Sequence, residues 1–132
     1  MPSRSARWLL ILIACAVCIV SWLGASFYSF DAKRVAFDRS QWVQGRAGLK
    51  LTADPGCVLG GMALDLQKTN RLIQMPYQQL FDLIGAPDGS GEKVFLWDVG
   101  QCHGGGWDHS HFKIILDTSG RVIEVDFQKA TF

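Results

Sequence analysis

The chemically richest run of this 132-residue chain is Gln101-Cys102-His103-Gly104-Gly105-Gly106-Trp107-Asp108-His109-Ser110-His111, which holds all three histidines. On an extended strand, His109 and His111 at i, i+2 point to one face, as two imidazole ligands of zinc, copper or nickel must. His103, Asp108 or Cys102 would complete such a set, and the three glycines would let the loop fold back. The spacing matches no closed structural zinc pattern. The competing reading, which needs no cofactor, is a solvated hairpin tip carrying ordinary histidines. Cys102-His103 could also be read as a thiol nucleophile beside its base. Neighbours on an extended chain point apart, however, and no third group orients the imidazole, so no catalytic residue and no enzyme are expected. Nor are the glycines a phosphate loop, since no Lys-Ser/Thr pair follows them.

Cys57 and Cys102 are the only cysteines outside the apolar N-terminal run, which holds Cys15 and Cys18. In an oxidising compartment such a pair is expected to form a disulfide, and closing a loop of this length contributes roughly 3–4 kcal/mol. In a reducing compartment the two would be separate thiols.

The elements that carry these residues sit beside a membrane signal. Residues Trp8 to Phe30 contain no charge, although the chain as a whole has 13 Lys/Arg and 12 Asp/Glu. As a helix this run would extend roughly 34 Å, enough for a hydrocarbon core about 30 Å thick. Trp8 at one end and Trp22, Phe27, Tyr28 and Phe30 at the other suit the interfacial belts. Arg4 and Arg7 make a short basic start, so we expect an uncleaved anchor in the bacterial inner membrane, crossing once, with the following domain in the periplasm. Cleavage near Gly24-Ala25-Ser26 would instead release a secreted domain. Leu12-Ile13-Ala14-Cys15 looks like a lipobox that would put a lipid on Cys15, but the apolar run continues well past that cysteine. The near-neutral charge of +1 argues against a nucleic-acid partner.

The remaining chain is long enough for one small domain. Residues 1–30 form the anchor, 31–53 a connector with scattered apolar residues, and 54–132 the domain. Asp54-Pro55 starts a first helix, with Leu59, Met62, Ala63 and Leu66 on one face and Asn70 as its stop. Gly60-Gly61 either weakens that helix or admits a close neighbour. Pro76 opens a second helix carrying Tyr77, Leu80, Phe81 and Ile84, and Gly85 closes it in a left-handed cap. Three strands follow, at 94–99, 112–116 and 122–127. The last has Ile123, Val125 and Phe127 on one face, and Asp117-Thr118-Ser119-Gly120 makes the hairpin before it. The expected fold is α+β: a transmembrane helix, then an ααβββ domain with two helices on a three-stranded antiparallel sheet.

Met75-Pro76-Tyr77-Gln78-Gln79-Leu80-Phe81-Asp82-Leu83-Ile84-Gly85-Ala86-Pro87-Asp88 resembles the helix-and-turn signature of BamE/SmpA-like small envelope domains. Trp97-Asp98-Val99-Gly100 and Leu116-Asp117-Thr118-Ser119-Gly120-Arg121-Val122 extend the likeness, as do Phe37-Asp38, Trp42 and Met62 to Leu66. It departs from the pattern at Pro76, where relatives often have a Ser or Thr cap, and in the Cys-His-Gly-Gly-Gly insert. The resemblance implies an ααβββ scaffold, assembly or inhibitor module of the cell envelope, without catalysis. A protein partner would then meet the Gly-rich hairpin through Trp107 and His109, with an edge strand, or would meet Trp42; Trp97 reads as core. The readings from other classes are a periplasmic metal-binding or metal-sensing domain built on His103, His109 and His111, and an inhibitor of a periplasmic enzyme.

Overall fold

The computed structural model describes residues 4–28, 32–103 and 108–129. Helix α1 (Arg4–Tyr28) contains one stretch, Ser5–Gly24, long and apolar enough to cross a membrane, as a membrane anchor or a signal sequence would be. None of that stretch is buried against the rest of the chain. Its far end, expected at Phe30, lies outside the described residues.

The next segment corrects the expected connector. Residues Arg39–Thr52 form a helix, α2. Asp38 is its N-cap, and the carboxylate accepts the Gln41 amide at 2.8 Å. Phe37, just before the cap, packs on Trp42 with ring centroids 5.8 Å apart, a hydrophobic staple that fixes how the chain enters the helix. Trp42 is completely buried, and its indole N–H donates to the Ile84 carbonyl at 2.9 Å. It is therefore a core residue and not the exposed partner anchor expected of it.

Helix α3 (Val58–Thr69) starts later than Asp54-Pro55 predicts. The chain first passes through left-handed backbone at Ala53, Asp54, Gly56 and Cys57. The Asp54 side chain then reaches forward to accept the amides of Val58, Leu59 and Gly60. Asn70 ends the helix in the left-handed region, as expected. Helix α4 (Tyr77–Ile84) follows Pro76 and is closed by Gly85, whose φ of 82° is positive but whose ψ of 179° is not that of a left-handed helical cap.

The sheet has four antiparallel strands in the order of the chain: β1 (Gly89–Ser90), β2 (Val94–Asp98), β3 (Ser110–Leu116) and β4 (Val122–Lys129). The chain is therefore α+β, but with four helices and four strands among the described residues. The expected three-stranded, two-helix domain lacked α2 and the two-residue edge strand β1. Trp97, Phe112, Ile114, Leu116 and Val122 are buried and form one core with Trp42 and the apolar faces of α3 and α4. The register steps from Ile115 opposite Glu124 to Leu116 opposite Val122, a bulge at Ile123. The bulge turns Ile123 out, 49% exposed, and puts Val122 in the core, so the simple alternation expected along β4 fails at its first turn. On the open face, Lys113 lies 3.8 Å from Glu124 and 4.0 Å from Asp126.

Candidate functional site

The two cysteines meet. Cys57, at the N-cap of α3, and Cys102, between β2 and β3, are joined by a disulfide with Cα atoms 5.5 Å apart. Close packing explains why glycines surround it. A Cβ on Gly60 would stand 3.0 Å from Cys102 Sγ, and one on Gly100 would stand 2.6 Å from the Ala53 carbonyl. The Gly60-Gly61 pair thus admits neighbours rather than weakening the helix: Cys102 and Phe127 press on Gly60, while Lys33 and Val35 press on Gly61. Asp54 completes the corner, its Oδ2 lying 3.7 Å from Cys102 Sγ. Burial pushes its carboxyl above the usual range, and the three amide hydrogen bonds only partly offset this.

The histidines divide between two faces. His103 Nδ1 is 2.6 Å from Ser110 Oγ, and its ring lies 4.9 Å from that of Phe127, on the core side of the sheet. The Ser110 hydroxyl accepts the Cys102 amide at 3.0 Å and is fully buried, so it ties the loop to β3 and is closed to a substrate. His109 precedes β3, with Nδ1 3.9 Å from Asp98 Oδ1, while His111 is the cross-strand partner of Asp98. Among the described residues no three His, Cys, Asp or Glu side chains are grouped to hold a metal ion. Cys102 is spent in the disulfide, and His103 is turned to Ser110, so a thiol–imidazole pair is not formed. Trp107 and Gly104 to Gly106 lie outside the described residues. Cys15 and Cys18 are free and exposed on α1.

Beside this corner is a cleft of about 310 Å³ between the last turns of α2 and the far end of β2, lined by Arg46, Leu49, Lys50, Asp88, Asp98 and His109. Ala53 and Gly100 also line it, one from each of the segments that the disulfide joins. Arg46 is largely buried, and both of its terminal guanidinium nitrogens are engaged. It bonds both carboxylate oxygens of Asp88, at 2.9 and 3.3 Å, and the carbonyls of Ala86 and Asp98. It holds α2 against the turn after α4. Lys50 and His109 stand exposed at the rim, with the partly buried Leu49 between the walls. Arg46, Asp88 and Lys50 were not singled out from the sequence, because only the α2 helix brings them to His109.

No known family profile, curated protein or solved structure matches the chain.

Proposed function

We propose that this chain is a membrane-anchored envelope protein whose domain binds a protein partner through the cleft rimmed by Lys50, Asp98 and His109, without catalysis. The observation that carries this reading is the placement of the disulfide. It joins the segment holding Ala53 to the segment holding Gly100, both of which line the cleft and meet there, the Gln101 amide donating to the Ala53 carbonyl at 3.3 Å. A staple at that point pre-organises a binding surface and so lowers the ordering cost of association. Disulfides persist in exported proteins, and the apolar α1 supplies an anchor, which together favour a periplasmic domain on a single N-terminal span. The resemblance of residues 75–88 and 116–122 to BamE/SmpA-like domains supports the same assignment to a scaffold, assembly or inhibitor role.

The test is site-specific photo-crosslinking in cells expressing the full chain, with the photoreactive residue at Lys50 or at His109. A discrete crosslinked partner from both positions is expected, and none from Lys93, which precedes β2 at the end away from Asp98, five residues and about 17 Å off. Identical yields at all three positions would overturn the cleft as the binding surface. The identity of the crosslinked partner separates an assembly subunit from an inhibited enzyme. The double variant His109→Ala/His111→Ala separates the metal reading. Loss of the crosslink with no bound metal in the parent protein supports partner binding, and loss of stoichiometric metal supports a metal site.

A further inference from the structure

Outside the cleft, the chain that leads from α1 into the domain is held in a distinctive way. Its carbonyl at Lys33 and its Val35 side chain lie against Gly61 of α3, and the Val35 amide donates to the Gly61 carbonyl at 3.0 Å. One turn further, Arg34 Nε bonds Asp65 Oδ1 at 2.7 Å, and the Phe37 amide donates to Asp65 Oδ2 at 3.1 Å. Gly61, Asp65 and Lys68 follow at i, i+4, i+7, so they share one face of α3, and the entering chain runs along it. Arg71 lies just beyond, its guanidinium 5.9 Å from the Phe37 ring centroid. Lys33, Arg34, Lys68 and Arg71 are all exposed. Two carboxylates of this region, Asp65 and Asp38, are engaged. Asp65 is buried beneath Arg34 and held ionised by it, and Asp38 caps α2.

This patch sits at the root of the tether. From Tyr28 to Lys33 is five residues, which at about 3.5 Å each reach no further than about 17 Å. If α1 spans a bilayer, Lys33 is confined within roughly two Debye lengths of its surface at physiological ionic strength, and Arg34, Lys68 and Arg71 continue the same basic face. Basic side chains in that position are attracted by anionic headgroups. We infer that the face formed by Lys33, Arg34, Lys68 and Arg71 docks the domain onto an anionic lipid surface. This face is separate from the Lys50–His109 cleft. Docking would leave the cleft to a partner and set the domain's orientation at the membrane. The inference rests on the anchored reading of α1.

The full chain is reconstituted in nanodiscs of phosphatidylcholine alone, or with one-third phosphatidylglycerol, and treated with a water-soluble lysine-acylating reagent. Peptide mass spectrometry then reads each lysine, with Lys113 on the open face of the sheet as the internal reference. The expected result is at least a fivefold slowing at Lys33 and Lys68 relative to Lys113 in the anionic discs. That slowing should be absent in neutral discs, abolished by 0.5 M NaCl, and reduced at Lys68 in Arg71→Glu. Equal rates at Lys33 and Lys68 in both discs would overturn it, as would a slowing shared by Lys113. Protection seen only in native membranes would point to an acidic protein partner and would also overturn it. Failure of the chain to stay with neutral discs would instead refute the anchor, which is a separate and distinguishable result.

Discussion

Two carboxylates in this small domain are shifted in opposite directions, and the sign of each shift makes a prediction. Asp65 is pulled below its ordinary value by the Arg34 side chain and the Phe37 amide. Its folded pKa thus lies below the unfolded one, so its contribution to stability is present above pH ~4 and lost as pH falls through the folded value. Asp54 is pushed up by burial. Its contribution is greatest below pH ~4 and declines as pH rises through the raised value. Urea midpoints measured from pH 3 to 7 should therefore show the deficit of Asp65→Asn shrinking toward acid. The stability of Asp54→Asn relative to the parent should improve toward neutral pH, whatever constant offset the lost amide contacts impose. Parallel curves for the two variants would refute the assignments. Trp42 makes the complementary point about the apolar residues. Trp42→Phe would leave the Ile84 carbonyl without its indole donor in a buried site, at a cost of about 1–3 kcal/mol, readable as a lower denaturant midpoint with unchanged m-value. No property of the tryptophan taken alone separates a buried side chain from an exposed anchor. That distinction needed the helix around it.

At the level of elements, α2 carries local signals in its own sequence. Phe37-Asp38-x-x-Gln41-Trp42 carries both an N-cap and a hydrophobic staple, and Leu49 follows Trp42 at i+7 on the same face. The gap was in between, where the positions facing the interior hold Gly45 and Arg46 rather than apolar residues. Gly45 is there because Leu59 of α3 presses against it, with Cδ2 3.0 Å from where a Cβ would stand. Arg46 is there because it is bonded to Asp88 and two carbonyls. Both reasons are tertiary and invisible in a hydrophobic pattern. α4, β3 and β4 were readable because their own spacing sets them, while the two-residue β1 has too little pattern to show. Three glycine facts now separate local propensity from packing. Gly48→Ala in α2 meets nothing within 4 Å and should gain roughly 0.5–1 kcal/mol. Gly61→Ala should destabilise despite the same gain in helix propensity, because its Cβ collides with the Lys33 carbonyl and with Val35, 2.7 Å away. Thermal unfolding of the pair, with proteolysis between residues 33 and 37 enhanced only in Gly61→Ala, checks that the entering chain is seated by that missing side chain. Gly60 belongs to the disulfide. Its partners are 45 residues apart, so replacing both with alanine should cost about 4 kcal/mol by loop-closure entropy. If the staple holds the cleft walls, the same variant should lose the Lys50 and His109 crosslinks at temperatures where the domain is still folded.

The whole molecule divides into an apolar helix whose Ser5–Gly24 stretch is not buried and a domain that closes its own core, and that division carries the last prediction. Because none of the Ser5–Gly24 stretch is buried in the fold, a chain beginning at residue 32 should unfold at the temperature of the full protein while losing detergent-phase partition. A large drop in its unfolding temperature would show that α1 contributes to the fold. The full chain, extracted from membranes without reductant, then tests anchor and compartment in one intact-mass measurement. An uncleaved anchor with an exported domain requires a mass near 14.6 kDa, less about 2 Da for one disulfide, and alkylation of only two of its four cysteines before reduction. A shorter chain would mean cleavage after the small residues near Gly24, and added acyl mass on Cys15 would mean a lipoprotein. Both outcomes release α1 from its role as a span and remove the 17 Å leash from which membrane docking was inferred. A full-length mass with four alkylatable thiols would place the domain in a reducing compartment. The cleft walls would then be unfastened, and the case for a pre-organised binding surface would fall with them.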